Sequence, residues 1–202
     1  MAAIVGEQCI AAAGEYKVRE HSFVPGQRIF SDKINELLCG DNGATEINAI
    51  PSTSVFGILR DRLANGPFAG NFPELNSVFS GFASRIGKPE DWGKVPLSLP
   101  EEFHPRRLPL RVAFDTRPAV DQALKSVSSD KMRRLRISTI ALAMLLNDER
   151  DQIDPKSALL LTLETVNGMG KTAPMKDEAI DKPTDEMKEA QHQVVKVGKK
   201  KN

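Results

Sequence analysis

A dense run of prolines in the middle of the chain restricts the possible secondary structure more than any other feature of the sequence. Five fall between residues 88 and 109, at Pro89, Pro96, Pro100, Pro105 and Pro109. Proline lacks a backbone N–H, and its ring clashes with the preceding helical turn, so this density excludes a regular helix and disfavours a central strand. We therefore predict that residues 88 to 109 form an extended, ordered connector.

Strands and helices are both predicted before this connector. Residues 8 to 30 show short apolar runs broken at Pro25-Gly26, which predicts two strands joined by a turn. Residues 31 to 39 read as a helix with Ser31 as its N-cap and Gly40 after its end. Two more amphipathic helices follow Pro51 and Pro73, the second ending near residue 87.

The C-terminal half again mixes the two element types. Residues 108 to 114 alternate in polarity and predict a strand, and a helix over 119 to 126 follows. Residues 131 to 146 satisfy helical spacing but also partly alternate, and we favour a helix. Residues 157 to 166, rich in Leu, Thr and Val, predict a last core strand. Together these elements predict a single α+β domain.

The composition changes after Gly170, where charged residues and proline replace apolar ones. Such a segment cannot bury enough apolar surface to offset its ordering entropy. We therefore predict a core domain over residues 1 to 170 and a flexible charged tail over 171 to 202. A marginal helix is possible within 184 to 195, and the tail ends in the lysines 199 to 201.

No catalytic or metal-binding motif is visible. The three histidines, at positions 21, 104 and 192, are too dispersed for a local site, and the segment Gly168 to Thr172 lacks the leading glycine of a phosphate-binding loop. Cys9 and Cys39 read as buried free thiols. These observations predict no metal, no cofactor and no enzymatic activity, although a site assembled from scattered residues stays open.

Neither a signal peptide nor a membrane span is predicted, because Glu7 interrupts the N-terminal segment and no run of 18 apolar residues occurs. The expected location is cytoplasmic, or the virion for a viral source.

Local basic clusters are the most informative functional feature. Lysines and arginines total 28 against 27 acidic residues, so the net charge identifies no partner. Two clusters are nevertheless dense: Arg106, Arg107 and Arg111, then Lys131, Arg133, Arg134 and Arg136. Such residues can neutralise nucleic-acid phosphates and release counterions, or can be solvated faces paired with nearby acids such as Asp130.

One segment resembles a known family. Residues 50 to 60, I-P-S-T-S-V-F-G-I-L-R, are similar to the I-P-G-S-S-hydrophobic-K-G-x-L-R segment of the RAMP superfamily, the repeat-associated RNA-binding subunits of CRISPR effector complexes. The later R-V-A-F-D at 111 to 115 resembles the strand and aspartate that follow it. The likeness covers about residues 41 to 117, and it departs from the pattern at Ser52 and Phe56. It implies a ferredoxin-like fold in which Arg60 contacts RNA phosphates or holds the loop that does.

These features predict a non-catalytic RNA-binding subunit that assembles with itself or with other subunits into a ribonucleoprotein. The alternative is a self-assembling viral structural protein, such as a matrix, capsid or nucleocapsid protein. A membrane surface would be a further partner if the protein were a viral matrix. No small-molecule cofactor is expected in either case.

Overall fold

The computed structural model describes residues 1–14, 24–40, 46–85, 89–149, 151, 154–176, 182–191 and 193–196. Helices dominate this part of the chain: α1 (Ala2–Ala13), α2 (Asp32–Cys39), α3 (Val55–Arg62), α4 (Leu75–Ser84), α5 (Pro109–Val127), α6 (Lys131–Asp148), α7 (Pro155–Gly170) and α8 (Asp185–Ala190). Strands β1 (Arg28–Phe30) and β2 (Val194–Lys196) pair in parallel. The predicted α+β fold, and with it the ferredoxin-like fold, is therefore wrong.

Three helices replace predicted strands. The first, α1, begins at Ala2 and is rich in alanine, the residue with the highest helix propensity. In α5, Pro109 occupies the start of the helix, where its missing N–H leaves no helical bond unmade. The Leu, Thr and Val residues of 157 to 166 belong to α7, which is buried on almost every side. An apolar run in a buried helix lacks the polar face that marks a surface helix, so it resembles a buried strand.

Helix α7 is the centre of the molecule and packs against α1, α4 and α5. The contact with α1 is close because Gly6 has no side chain: a Cβ there would lie 2.6 Å from Met169 Cβ and 2.7 Å from the Val166 carbonyl oxygen. The main apolar core joins α7 with α1, α2, α3 and α6. A smaller cluster lies on the other side, where Trp92 and Val95 from the connector meet α5.

Helices with clear start and stop signals were predicted correctly. Ser31 caps α2 by accepting a hydrogen bond from the Ile34 N–H at 3.2 Å, and Gly40 follows its end. Ser54 caps α3 in the same way. The preferred helical interpretation of residues 131 to 146 is also confirmed.

The proline-rich connector contains two short 3₁₀ turns, at Pro89–Asp91 and Glu101–Phe103. Cys9 and Cys39 are buried free thiols, as predicted. Residues 15 to 23 of the predicted strand pair, and the terminal lysines at 199 to 201, lie outside the described residues.

The proposed boundary after Gly170 falls inside the packed part of the chain. Ala173 and Met175 have no exposed surface, and Ala173 exchanges backbone hydrogen bonds with Gly26 and Gln27. Further along, Thr184 caps α8, and β2 pairs with β1. The segment after Gly170 thus contributes to the core and to the small sheet.

Candidate nucleic-acid interface

Arg60 holds a loop in place. Its guanidinium donates hydrogen bonds to the carbonyl oxygens of Ile47 at 2.8 Å and Ile50 at 2.9 Å, and to Ser52 Oγ at 3.1 Å. Asp61 accepts a further bond from Arg60 Nε at 2.7 Å. Since every one of these partners is local, Arg60 fixes the loop before α3 and has little capacity left for a phosphate.

The same loop explains a glycine of the segment that resembles the RAMP superfamily. A Cβ at Gly57 would lie 2.0 Å from the Pro51 carbonyl oxygen. That carbonyl also accepts a hydrogen bond from Ser54 Oγ at 2.7 Å, while Ser54 Oγ accepts one from the Gly57 N–H at 3.1 Å. In this chain the segment is a tightly closed helix start.

The cluster at residues 106 to 111 is partly neutralised. Asp115 accepts hydrogen bonds from Arg107 Nη2 at 2.6 Å and from Arg111 Nε at 2.8 Å. Arg111 also lies over the Phe114 ring, with its Cζ 5.9 Å from the ring centroid. Arg106 is exposed. One carboxylate shared by two guanidinium groups weakens the positive field of this cluster.

The second cluster begins α6 and divides into two kinds of side chain. Arg134 donates to the carbonyl oxygens of Ser128 at 2.9 Å and Ser129 at 2.7 Å, so it stabilises the turn between α5 and α6. Lys131, Arg133 and Arg136 are exposed, and within the described residues none of them forms an ion pair.

A surface groove of about 380 Å³ lies between α3 and α6 beside these cations. This α3–α6 groove is lined by Ser52, Thr53, Ile58, Asp61, Arg62, Arg136 and Ile140. Arg62 was not predicted as a site residue, and it too has no ion pair with any described residue. The groove contains an acid, Asp61, which already accepts hydrogen bonds from Ser52 and Arg60. These hydrogen bonds lower the pKa of the Asp61 carboxyl. The groove therefore presents two available guanidinium groups next to an apolar floor.

Sequence reasoning also missed two buried cations between α4 and α7. Arg28 is 2% exposed and Lys171 is 7% exposed. Arg28 Cζ lies 5.3 Å and Lys171 Nζ 5.7 Å from the Phe82 ring centroid, and Lys171 Nζ is 4.6 Å from that of Phe79. Arg28 donates to Thr172 Oγ1 at 2.5 Å. Cation–π contacts thus replace the carboxylates that normally accompany buried charges.

Neither buried cation has an ion pair within the described residues. The acid nearest along α7, Glu164, accepts hydrogen bonds from Ser98 N at 2.8 Å and Ser98 Oγ at 2.6 Å. Burial lowers the pKa of Lys171 to about 8 and that of Arg28 to about 10. The only sequence signal was the segment Gly168 to Thr172, and the structure places Lys171 at the C-terminal end of a helix, the wrong end to bind a phosphate.

Other classes of site find no support in the part of the chain that the structure describes. No group of three or more His, Cys, Asp or Glu side chains there could hold a metal ion. His104 is engaged with the Leu99 carbonyl oxygen at 2.8 Å, whereas His21 and His192 lie outside the described residues. No described helix is long and apolar enough to cross a membrane.

Comparisons with protein families, with curated proteins and with solved structures found no match to this chain.

Proposed function

We propose that this protein binds single-stranded RNA through the α3–α6 groove and the first turns of α6, as a non-catalytic subunit of a ribonucleoprotein. One observation carries the proposal: the exposed arginines Arg62 and Arg136 line one groove and have no ion pair with any described residue. Lys131 and Arg133, in the first turn of α6, are likewise exposed and without such an ion pair. Cations that are not already neutralised can replace the counterions of a phosphate backbone.

The groove also offers a surface for the uncharged parts of RNA. Ile58 and Ile140 form its apolar floor, and Ser52 and Thr53 supply hydroxyl groups at its edge. A flexible single strand can place a ribose or base on that floor while its phosphates reach Arg62 and Arg136. A rigid duplex cannot adapt to a groove of this size, which favours single strands.

The salt dependence of binding to a fluorescent single-stranded RNA tests this proposal. For single strands the slope of log K against log salt is about −0.7 per phosphate contact, so four contacts predict a slope of about −3. The double variant Arg62→Gln, Arg136→Gln should bind more weakly, with a slope of about −1.5.

The matched control is Arg107→Gln, Arg111→Gln, which also removes two arginines, but ones that share Asp115. It should leave the slope close to that of the wild type. Absence of binding at low salt, a flat salt response, or equal losses in both double variants would overturn the proposal.

A further inference from the structure

The outer face of α6 has a graded composition along its length. Arg133, Ile137, Ile140, Met144 and Asp148 follow one another at spacings of three or four residues, so they lie in one stripe along the helix. This α6 stripe is basic at its N-terminal end, apolar in the middle and acidic at its C-terminal end.

The stripe is partly open to solvent in the single chain, with Ile137 and Ile140 half-buried. Met144 is 61% exposed and the neighbouring Leu145 is 44% exposed, and both belong to the largest exposed apolar side chains of the described residues. Arg133 and Asp148 are exposed, and neither forms an ion pair with a described residue. An exposed apolar patch bordered by unpaired charges is typical of a protein interaction surface.

We propose that two copies of this chain pair through the α6 stripe, with the two helices antiparallel across a two-fold axis. The pattern is self-complementary in one register. Arg133 then faces Asp148 of the partner subunit, Ile137 faces Met144 of the partner subunit, and Ile140 lies next to the axis. A two-fold interface uses the same surface on both copies, as this pattern requires.

Dimensions and charge both fit this arrangement. Arg133 and Asp148 are 15 residues apart, so about 22 Å of helix separates the two ion pairs and leaves room for the apolar centre. The antiparallel orientation also places the positive end of each helix dipole beside the negative end of the other. One pair of helices is a small interface, so the dimer should form in a concentration-dependent way.

Pairing and RNA binding share two side chains: Ile140 also lines the α3–α6 groove, and Arg133 is also one of the proposed phosphate-binding cations. Arg136 lines that groove together with Arg62, on the flank of α6 that faces α3, whereas Arg133 is not part of the groove lining. The pairing goes beyond RNA binding, and sedimentation without RNA tests it separately, while the Arg62→Gln, Arg136→Gln variant tests RNA binding at residues outside the stripe.

Sedimentation velocity across a concentration series, at low salt and without RNA, tests the pairing. The wild type should shift from monomer to dimer as its concentration rises. The single variants Arg133→Asp and Asp148→Arg place like charges opposite each other and should each raise the dimer dissociation constant about tenfold or more. The double variant Arg133→Asp, Asp148→Arg restores opposite charges and should recover dimerisation.

Two controls accompany this experiment, one for the site of the mutation and one for folding. Arg106→Asp changes an exposed arginine outside the stripe and should dimerise like the wild type, and circular dichroism should show unchanged helicity in every variant. A wild type that stays monomeric, single variants that dimerise normally, or a double variant as weak as the singles would each overturn the pairing.

Discussion

Truncation of Met175 is the sharpest test of how far the core extends along the chain. Met175 has no exposed surface and packs with Trp92, Val95 and Leu110 in the smaller apolar cluster. Replacement of a fully buried methionine by alanine costs about 2 to 5 kcal/mol. In a protein of this size each kcal/mol lowers the melting temperature by about 2 to 4 °C. Met175→Ala should therefore melt roughly 4 to 20 °C below the wild type.

The assay is thermal unfolding followed by circular dichroism, at one protein concentration and one pH. Val127→Ala is the matched control, because Val127 is 58% exposed and its truncation should change stability by less than about 0.5 kcal/mol. If Met175→Ala melts within a degree of the wild type, residues after Gly170 lie outside the core, and the packing described for them is wrong.

Three further changes test individual contacts. Gly57→Ala should destabilise the protein by about 1 to 3 kcal/mol in urea unfolding, because the new Cβ would clash with a backbone carbonyl. The control is Gly81→Ala, whose Cβ would meet only the flexible end of an arginine side chain. This control should be neutral or slightly stabilising. Burial raises the pKa of Glu7 more than its ion pair with Arg117 lowers it, so this carboxyl favours folding when protonated. The stability of the wild type relative to Glu7→Gln should fall as the pH rises above about 4, and a rise would contradict that cause.

Lys171→Met should raise stability at pH 7. Lowering the lysine pKa from 10.5 to about 8 corresponds to a cost of about 3 kcal/mol for keeping the charge buried, and the lost contacts with aromatic rings offset only part of it. Above pH 8 the folded protein sheds this proton while the unfolded chain keeps it, so the wild type gains stability up to about pH 10.5. The advantage of the variant should shrink across that window, and an advantage independent of pH would refute the argument.

The helices that could be predicted are those whose ends carry local signals. The caps at Ser31 and Ser54 and the glycine at position 40 act within a few residues, so the chain specifies them without tertiary context. The strand predicted at 157 to 166 failed for the opposite reason. Burial on all sides of α7 removes the polar face that would distinguish a helix, and only packing against α1 reveals it.

The prediction of phosphate-binding residues from the sequence is limited in a similar way. The sequence identifies clusters of cations but not the acceptors that already occupy them, because those acceptors are mostly backbone carbonyls. Arg60 and Arg134 each donate two hydrogen bonds to such carbonyls. Conversely, Arg28 and Lys171 lie 143 positions apart and meet at one phenylalanine ring, and no local pattern predicts that contact.

The distinction between cations that already have internal partners and cations that do not changes the expected salt dependence of RNA binding. Eight basic residues were candidates from the sequence, and eight phosphate contacts would give a salt slope of about −6. The contacts of Arg60, Arg107, Arg111 and Arg134 remove those side chains from the phosphate-binding set. Arg106 is not part of the groove or of α6, and the groove adds Arg62, which leaves four cations. A slope near −3 would favour the smaller set around the groove. A slope near −6 would mean that bound RNA displaces the internal partners of these arginines, because a guanidinium held by carbonyls or a carboxylate cannot bind a phosphate without losing them.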